Sequence, residues 1–196
     1  MSDPAVNHEP AGTHEPALDE ATRPRAPRHD DESGTPASRA AAQMLVGVHA
    51  HLRSELEQIR DVVTEVAAGH ATAAVARSLI NEMSMRQNYW SLGAFCATYC
   101  RVLTIHHTIE DSNLFVDLKS RDADLAPVIE RLSEEHEVVA EVLTRLDAAL
   151  VAMVEDPQHL SRVQIEVDRL AEILLSHLDY EEEELLGPIA RLGITF

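Results

Sequence analysis

Apolar residues recur every three or four positions through most of the chain after Ser38, which is the spacing of an amphipathic helix. The first of these stripes consists of Met44, Leu45, Val48, Leu52, Leu56, Ile59, Val62, Val63 and Val66. Comparable stripes predict four long helices, over residues 39–68, 91–119, 125–155 and 158–186. Four long helices, three of them joined by short breaks, predict an all-α fold, namely an antiparallel up-and-down four-helix bundle.

Glycine and proline residues mark the predicted ends of two of the helices. Gly69 is expected to end the first helix, and the pair Gly187-Pro188 is expected to end the fourth. Between the first two helices the pattern is less regular, with a short helix predicted over residues 71–83 and a connection over residues 85–90. This insertion, Ala71–Trp90, is the part of the sequence that could form a lid over a site.

Residues 1–38 differ in composition from the rest of the chain. They contain six of the nine prolines, many acidic residues and almost no large apolar side chains. Such a segment buries too little apolar surface to offset its chain entropy, so we expect a disordered acidic, proline-rich tail. Residues 39–196 then form the bundle domain. Histidines 8, 14 and 29 fall in the tail and are expected to be solvated.

The overall charge and the cysteine content exclude several classes of protein. A formal net charge of -18 disfavours binding to nucleic acid and to anionic membranes. The longest apolar run, residues 148–154, is far too short to span a bilayer, and the N-terminus lacks the pattern of a secretory signal. Cys96 and Cys100 cannot form a disulfide framework and are expected to be small buried residues. We therefore expect a soluble, cytoplasmic protein.

The second and fourth predicted helices repeat a His-x-x-x-Glu pattern, as His106 with Glu110 and His177 with Glu181. Residues four apart lie on the same face of a helix, and in both helices leucines flank the pair on that face. An imidazole and a carboxylate in an apolar core are costly unless a partner satisfies them, and a metal ion satisfies both. These ligands suit iron, manganese or zinc, and the lack of thiolate ligands argues against a structural zinc site.

The first and third helices each provide an inward histidine, His49 and His136. In the first helix, His51 is an alternative to His49, and the two lie about 200° apart around the helix axis. The predicted ligand set is therefore His49, or His51 in its place, with His106, Glu110, His136, His177 and Glu181. Six such ligands are enough for two metal ions about 3.5–4 Å apart with bridging carboxylates.

Several neighbours of these residues have more than one interpretation. His107 could be an additional ligand or a second-layer donor, but we expect it to be solvated. Glu135 and Glu182 could accept a hydrogen bond from a ligand imidazole, although for Glu182 we favour ordinary surface charge. Tyr99 and Tyr180 could donate to a metal-bound molecule, and we expect both to be packed tyrosines instead.

The order of these residues resembles the hemerythrin family, in particular its bacterial HHE cation-binding branch. The pattern His49, His106-x-x-x-Glu110, His136, His177-x-x-x-Glu181 is similar to the H–HxxxE–H–HxxxE arrangement of actinobacterial hemerythrin-like proteins, over about residues 40–189. The resemblance implies a non-heme di-iron centre, with manganese as an alternative metal. It also implies that the two glutamates bridge the metals and that the four histidines are terminal ligands, with His49 favoured over His51 in the first helix.

The resemblance also directs the functional prediction. Invertebrate oxygen-carrying hemerythrins have a His-x-x-x-His pair on the third helix, whereas this chain has Leu132 before His136 and Ala140 after it. With one histidine fewer, the centre is expected to keep a position open for O2, peroxide or NO. This difference favours redox chemistry, such as peroxide decomposition, over simple oxygen carriage. The alternatives are an O2, NO or iron storage or sensing module without turnover, and a metal-free interaction bundle whose polar residues pair with one another.

Overall fold

A computed structural model describes residues 15–29, 34–68 and 92–195. The predicted short helix, connection and lid between the first two long helices lie outside these described residues. None of the described helices is both long enough and apolar enough to cross a membrane.

Four helical rods make up the described part of the chain. Their elements are Pro36–Ala67 (α1), Leu92–Ile109 (α2), the π-helical turn Glu110–Leu114, Phe115–Arg121 (α3), Ala126–Glu155 (α4) and Leu160–Arg191 (α5). The second rod consists of α2, the π turn and α3, which follow one another without a break, and α1, α4 and α5 are the first, third and fourth rods. The prediction of an all-α bundle is confirmed, since these described residues contain no strand.

Contacts between the rods show that neighbours run antiparallel. Between the first and fourth rods, Arg53 pairs with Asp179 at 2.7 Å and Arg60 pairs with Asp168 at 3.1 Å. The residue numbers therefore rise along one rod as they fall along the other. The other neighbouring rods show the same order, in the pairs Tyr99–Leu52, His106–His49, Lys119–Glu130, Ser133–Asp111, Glu135–His177 and Arg145–Glu166. The four rods therefore pack as a ring around one central axis.

Helix α1 begins inside the predicted tail. Thr35 caps it by accepting a hydrogen bond from the backbone N–H of Ser38 at 3.1 Å, and Pro36 occupies the first turn, where proline needs no amide hydrogen. The Ser38 hydroxyl also donates to the backbone carbonyl of Ala190 at 2.8 Å. This contact ties the start of the first rod to the end of the fourth.

Helix α5 continues past Gly187-Pro188 to Arg191, so the predicted end of the fourth helix is wrong. Pro188 and Ile189 are buried, and their packing into the core holds one further turn despite the missing amide hydrogen. The helix ends at Arg191, and Gly193 shortly after it has a φ of 69°, a left-handed conformation that glycine adopts without strain.

Residues 15–29, which we call the N-terminal strap, pack against the bundle, so the prediction of a disordered tail is wrong for this segment. The hydroxyl of Tyr180 donates to the backbone carbonyl of Pro24 at 2.8 Å. Arg25 donates to the buried carboxylate of Glu184 at 2.7 Å. The strap is held mainly by hydrogen bonds and ion pairs to particular side chains, which a composition rule based on apolar burial cannot detect. His29 is exposed at its end, as expected for that residue.

Two apolar clusters form the core and leave a polar layer between them. One contains Leu52, Leu103, Val139, Leu174 and Leu178, and the other contains Leu45, Leu114, Leu132 and Leu185. Between the two clusters, the inward positions of the rods carry buried histidines and glutamates instead of apolar residues. The bundle therefore places ionisable groups at one level of an otherwise apolar interior.

Candidate metal centre

The polar layer brings together all six predicted ligands and one further histidine. Its members are His49, His106, His107, Glu110, His136, His177 and Glu181. His49, His177 and Glu181 are completely inaccessible to solvent, and the others are buried or nearly so. Every rod contributes at least one of them.

One group within the polar layer combines two histidines with both glutamates. Nε2 of His106 lies 3.1 Å from Oε1 of Glu110, and Nε2 of His49 lies 3.5 Å from Oε2 of Glu181. The four ligand atoms of this group lie within 4.8 Å of one another. Such a cluster has the size and the donor types of a site for one cation.

The second group consists of three histidines, His107, His136 and His177, whose ligand atoms also lie within 4.8 Å of one another. The rings of His107 and His136 stack with centroids 4.0 Å apart, and the ring of His177 meets that of His136 edge-on at 4.9 Å. Three imidazoles in this arrangement suit a second cation.

Glu110 lies between the two groups and faces both. Its Oε1 is the oxygen near His106, whereas its Oε2 lies 3.7 Å from Nε2 of His136. Glu181 has a similar position, because its Oε2 is 3.5 Å from Nε2 of His49 and 3.8 Å from Nε2 of His177. Two carboxylates placed in this way could bridge a pair of cations.

The polar atoms facing this centre have no hydrogen-bond partner. They are Nε2 of all five histidines and both carboxylate oxygens of Glu110 and Glu181, nine atoms in total. Leaving so many buried donors and acceptors unsatisfied is costly, and neighbouring polar groups usually prevent it. Cations placed among these atoms would satisfy all of them, so the residues fit a metal centre.

Carboxylates outside the layer orient two of the histidines. Nδ1 of His177 donates to Oε2 of Glu135 at 3.1 Å, and Nδ1 of His49 donates to Oε1 of Glu182 at 2.9 Å. Each contact leaves Nε2 as the unprotonated nitrogen that faces the centre. Glu135 thus accepts a hydrogen bond from a ligand imidazole, as we considered for it. The surface-charge interpretation of Glu182 is wrong, because its carboxylate accepts from His49 and also from Arg53 at 2.6 Å.

A third carboxylate of this kind, Asp111, was not predicted from the sequence. Asp111 accepts a hydrogen bond from Nδ1 of His136 at 3.0 Å and another from the hydroxyl of Ser133 at 2.8 Å. Asp111 also stands four residues after His107, so the second rod carries two overlapping pairs of histidine and carboxylate. That repeated spacing is a signal by which both residues could have been found.

Burial keeps four of these histidines neutral at neutral pH, namely His49, His106, His107 and His177. It lowers the pKa of His49 and of His106 to about 3, with smaller effects from nearby charges. It also lowers the pKa of His177 to about 4, although the hydrogen bond to Glu135 opposes this shift, and it lowers the pKa of His107 well below its ordinary value. Neutral imidazole is the form that binds metal, so these side chains are ready to act as ligands.

The same burial acts in the opposite direction on the two glutamates. It raises the pKa of Glu110 well above its ordinary value, and the negative charge of Glu181 adds to the effect. It also raises the pKa of Glu181, with a further contribution from Glu182. Because a cation would stabilise the ionised form of both carboxylates, their burial side by side is consistent with a site for positive charge.

A family model described as the hemerythrin HHE cation-binding domain matches residues 40–189. The chain belongs to this family. The resemblance seen in the motif is thereby confirmed at the level of the family. No curated protein and no solved structure matches the chain significantly.

Within this hemerythrin domain, His107 departs most from expectation. Only 6% of the residue is exposed, so the prediction of a solvated side chain is wrong. His107 adjoins His106, and the two rings point into different groups of the polar layer, with centroids 5.4 Å apart. The centre thus contains five histidines. The single histidine of the third helix therefore no longer means that the centre is short of a histidine. In the first rod, His49 lies in the layer, whereas His51 is exposed.

The π turn begins at the glutamate that faces both groups. It covers Glu110–Leu114 and adds one residue to the second rod directly after the His-x-x-x-Glu pair. Leu114 and Phe115 are both buried beyond it, and the ring of Phe115 stacks on His136 at 5.4 Å. Turns of this type often occur at functional sites, and here the turn lies on the second rod, whereas the corresponding stretch of the fourth rod is α-helical.

The tyrosines and the described cysteine have structural contacts. The Tyr99 hydroxyl donates to the backbone carbonyl of Leu52 at 3.1 Å, and the Tyr180 hydroxyl donates to that of Pro24. Both are packed tyrosines, as expected. Burial raises the pKa of the Cys100 thiol to about 12, so this cysteine is a poor nucleophile at neutral pH. The side chain of Cys96 lies outside the described part of the structure.

Proposed function

We propose that this hemerythrin-family protein holds two iron ions in its polar layer and uses them to bind or react with O2, peroxide or NO. One observation carries the proposal. The two oxygens of Glu110 face different groups of histidines, and nine buried polar atoms around them have no hydrogen-bond partner. A pair of cations bridged by carboxylates accounts for both features.

The balance of ligand types supports iron over manganese. The polar layer offers five imidazoles and two carboxylates. Imidazole suits iron, zinc and copper, whereas manganese is found more often among carboxylate and water ligands. Each of three imidazoles donates to a carboxylate through Nδ1, which strengthens the donor capacity of Nε2. Manganese remains the alternative to be tested by metal analysis.

The surroundings of the layer favour a very small ligand. Leucines and Phe115 enclose the layer above and below. A surface concavity of about 650 Å³ touches Asp111 and Phe115, but none of the seven residues of the polar layer lines it. A diatomic molecule or peroxide needs no cavity of that size, whereas an organic substrate would need direct access to the centre.

The protein side chains have separate tasks in this scheme. Iron, when bound, supplies the electrons or the open coordination position for the small molecule. Glu110 and Glu181 would hold the cations together and neutralise part of their charge. The carboxylates at Nδ1 of three histidines fix the proton on that nitrogen and keep Nε2 unprotonated. The apolar layers would restrict water, which strengthens the electrostatic interactions inside.

Redox turnover, including peroxide decomposition, is the form of this function that the single histidine of the third helix favoured. The fifth histidine weakens the original reason for preferring it over reversible binding. Storage or sensing of O2, NO or iron without turnover is therefore the second candidate, and His107 is the observation that favours it. We place either function in the cytoplasm, in keeping with a sequence whose two cysteines cannot form a disulfide framework.

The test uses the full chain loaded with ferrous iron without oxygen. We expect two iron ions per chain by elemental analysis, followed by a new absorption band on adding O2, peroxide or NO. A band that disappears under vacuum supports reversible binding, and repeated peroxide consumption supports turnover. Less than one metal ion per chain after loading, with no spectral change, would contradict the proposal and favour a bundle without metal.

A further inference from the structure

The N-terminal strap reaches the carboxylate that orients His177. Nε of Arg23 donates to Oε1 of Glu135 at 2.7 Å, and Nη2 of Arg23 donates to Oε2 of the same carboxylate at 3.0 Å. Oε2 is also the atom that accepts from Nδ1 of His177. A continuous chain of contacts therefore runs from the strap, through one carboxylate, to an imidazole of the polar layer.

Arg23 is fixed in this position by further contacts. Its Nη1 donates to the hydroxyl of Ser176 at 3.0 Å, and its guanidinium lies over the ring of Tyr180, 4.7 Å from the centroid. The side chain of Arg23 is only 10% exposed, and that of Glu135 is 2% exposed. A planar guanidinium that donates two parallel hydrogen bonds in a buried setting holds a carboxylate in one orientation.

The other two carboxylates of this kind are held differently. Glu182, the partner of His49, pairs with Arg53 of the first rod, and both are about a fifth to a quarter exposed. Asp111, the partner of His136, is 40% exposed and accepts from the hydroxyl of Ser133. Glu135 is the most deeply buried of the three carboxylates and receives its arginine from outside the four rods.

We propose that Arg23 is a positioning residue of the metal centre, which fixes Glu135 and through it His177, so that the strap forms part of the site. This inference rests on the proposed metal-binding function. Without Arg23, Glu135 would be a buried carboxylate without its cation, free to turn toward water or other donors. His177 would then lose the fixed hydrogen bond that aims Nε2 at the centre.

The test measures how fast ferrous iron is lost from the loaded full chain to a coloured chelator, without oxygen. We expect Arg23→Gln to release the iron about tenfold faster or more, in the range seen for residues behind metal ligands. Arg23→Lys keeps the charge but cannot donate two parallel bonds, and we expect it to restore part of the slow release. An Arg23→Gln rate equal to that of the unchanged protein would overturn the inference.

The matched control is Arg25→Gln. Arg25 lies on the same strap and pairs with the buried carboxylate of Glu184 at 2.7 Å, but Glu184 has no described contact with a histidine of the layer. This variant should lower the midpoint of thermal unfolding without changing the rate of iron release. Equal acceleration by Arg25→Gln and Arg23→Gln would mean that the strap acts only through folding, and would reject the positioning role.

A double-mutant cycle isolates the path through Glu135. If Arg23 acts through this carboxylate, Arg23→Gln should add little to the faster release already caused by Glu135→Gln. Fully additive effects would overturn the inference. Iron loading of the unchanged protein distinguishes failure of this inference from failure of the proposed function. If the unchanged protein takes up no iron, both are contradicted. If it loads normally and Arg23→Gln has no effect, only the role of Arg23 is contradicted.

Discussion

The imidazole of His107 stacks on that of His136, with ring centroids 4.0 Å apart and planes inclined by only 10°. The two residues come from the second and third rods, and their Nε2 atoms both face the polar layer without a hydrogen-bond partner. The third rod therefore needs only one histidine to complete a group of three. The second rod contributes another, because two histidines stand side by side in its sequence, and the fourth rod contributes His177.

The position of His107 leads to a prediction about metal stoichiometry. We expect His107→Ala to lower the iron content from two ions per chain toward one, because the group of three histidines loses a ligand while the group around Glu110 and Glu181 stays complete. His51→Ala is the control, since His51 is exposed and lies outside the layer. Elemental analysis after anaerobic loading measures both. Full loading of His107→Ala would show that this histidine is not a ligand.

Removal of the histidine of either His-x-x-x-Glu pair should be more severe. His177 and His106 each form the His-x-x-x-Glu pair of their rod, and Glu181 and Glu110 reach both groups. We expect His106→Ala or His177→Ala to lower the iron content and to alter the absorption spectrum, while circular dichroism shows an unchanged helical content. If both variants load as much iron as the unchanged protein, the ligand assignment is wrong.

The carboxylates that accept from the histidines should change the affinity for iron, although they do not bind it themselves. We expect Asp111→Asn and Glu182→Gln each to weaken iron binding by about 10- to 100-fold, since each removes a charged acceptor from Nδ1 of a histidine. Glu134→Gln is the control on the third rod, because Glu134 is 67% exposed and pairs with Arg131. Competition with a chelator of known affinity measures the change. Equal affinities for all three variants would rule out an orienting role.

Metal removal should destabilise the bundle, because nine buried polar atoms then lack partners. With free iron about 100-fold above its dissociation constant, binding adds about 2.7 kcal/mol to the free energy of unfolding. For a chain of this size, that corresponds to a rise of roughly 5–10 °C in the midpoint of thermal unfolding. Calorimetry with and without iron measures the shift. His177→Ala should show a smaller one, and an equal shift in both proteins would place the stabilising iron elsewhere.

Truncation should separate two parts of the predicted tail. Removal of residues 1–14, for which the sequence predicts disorder, should leave folding and iron binding unchanged. Removal of residues 1–29 should destabilise the bundle, since it takes Arg23 from the buried carboxylate of Glu135, and breaking a buried pair costs about 3–5 kcal/mol. It also takes the exposed Arg25 from Glu184. Denaturant unfolding of the two truncated proteins provides the measurement. Equal stability would show that the strap contributes nothing.

Local periodicity was sufficient for much of the fold and for five positions of the candidate centre. A helical repeat of apolar residues determines which face of each rod turns inward, and a spacing of four places His106 above Glu110 and His177 above Glu181 on that face. At the sixth position the periodicity left His49 and His51 as alternatives, and the resemblance to the family selected His49. These features depend on neighbours within one helix, so the sequence alone contains them.

Contacts between rods decided the rest. The apolar periodicity did not indicate that His107, Asp111 and Glu182 belong with the centre, because each lies beside the main apolar stripe. Only the four-residue spacing of His107 and Asp111 offered a signal for two of them. The strap was missed for a related reason, since Arg23 gains its place from one carboxylate more than a hundred residues away.

The sequence by itself determined four amphipathic helices and the ligand types along their buried faces, because these depend on spacing within a single helix. Only the tertiary structure decided which histidines share a group, which carboxylates hold them and where the strap lies. The physical reason is that a hydrogen bond or a shared ion requires atoms from separate segments to meet within a few ångströms. Helix packing sets that distance, and no local repeat specifies it.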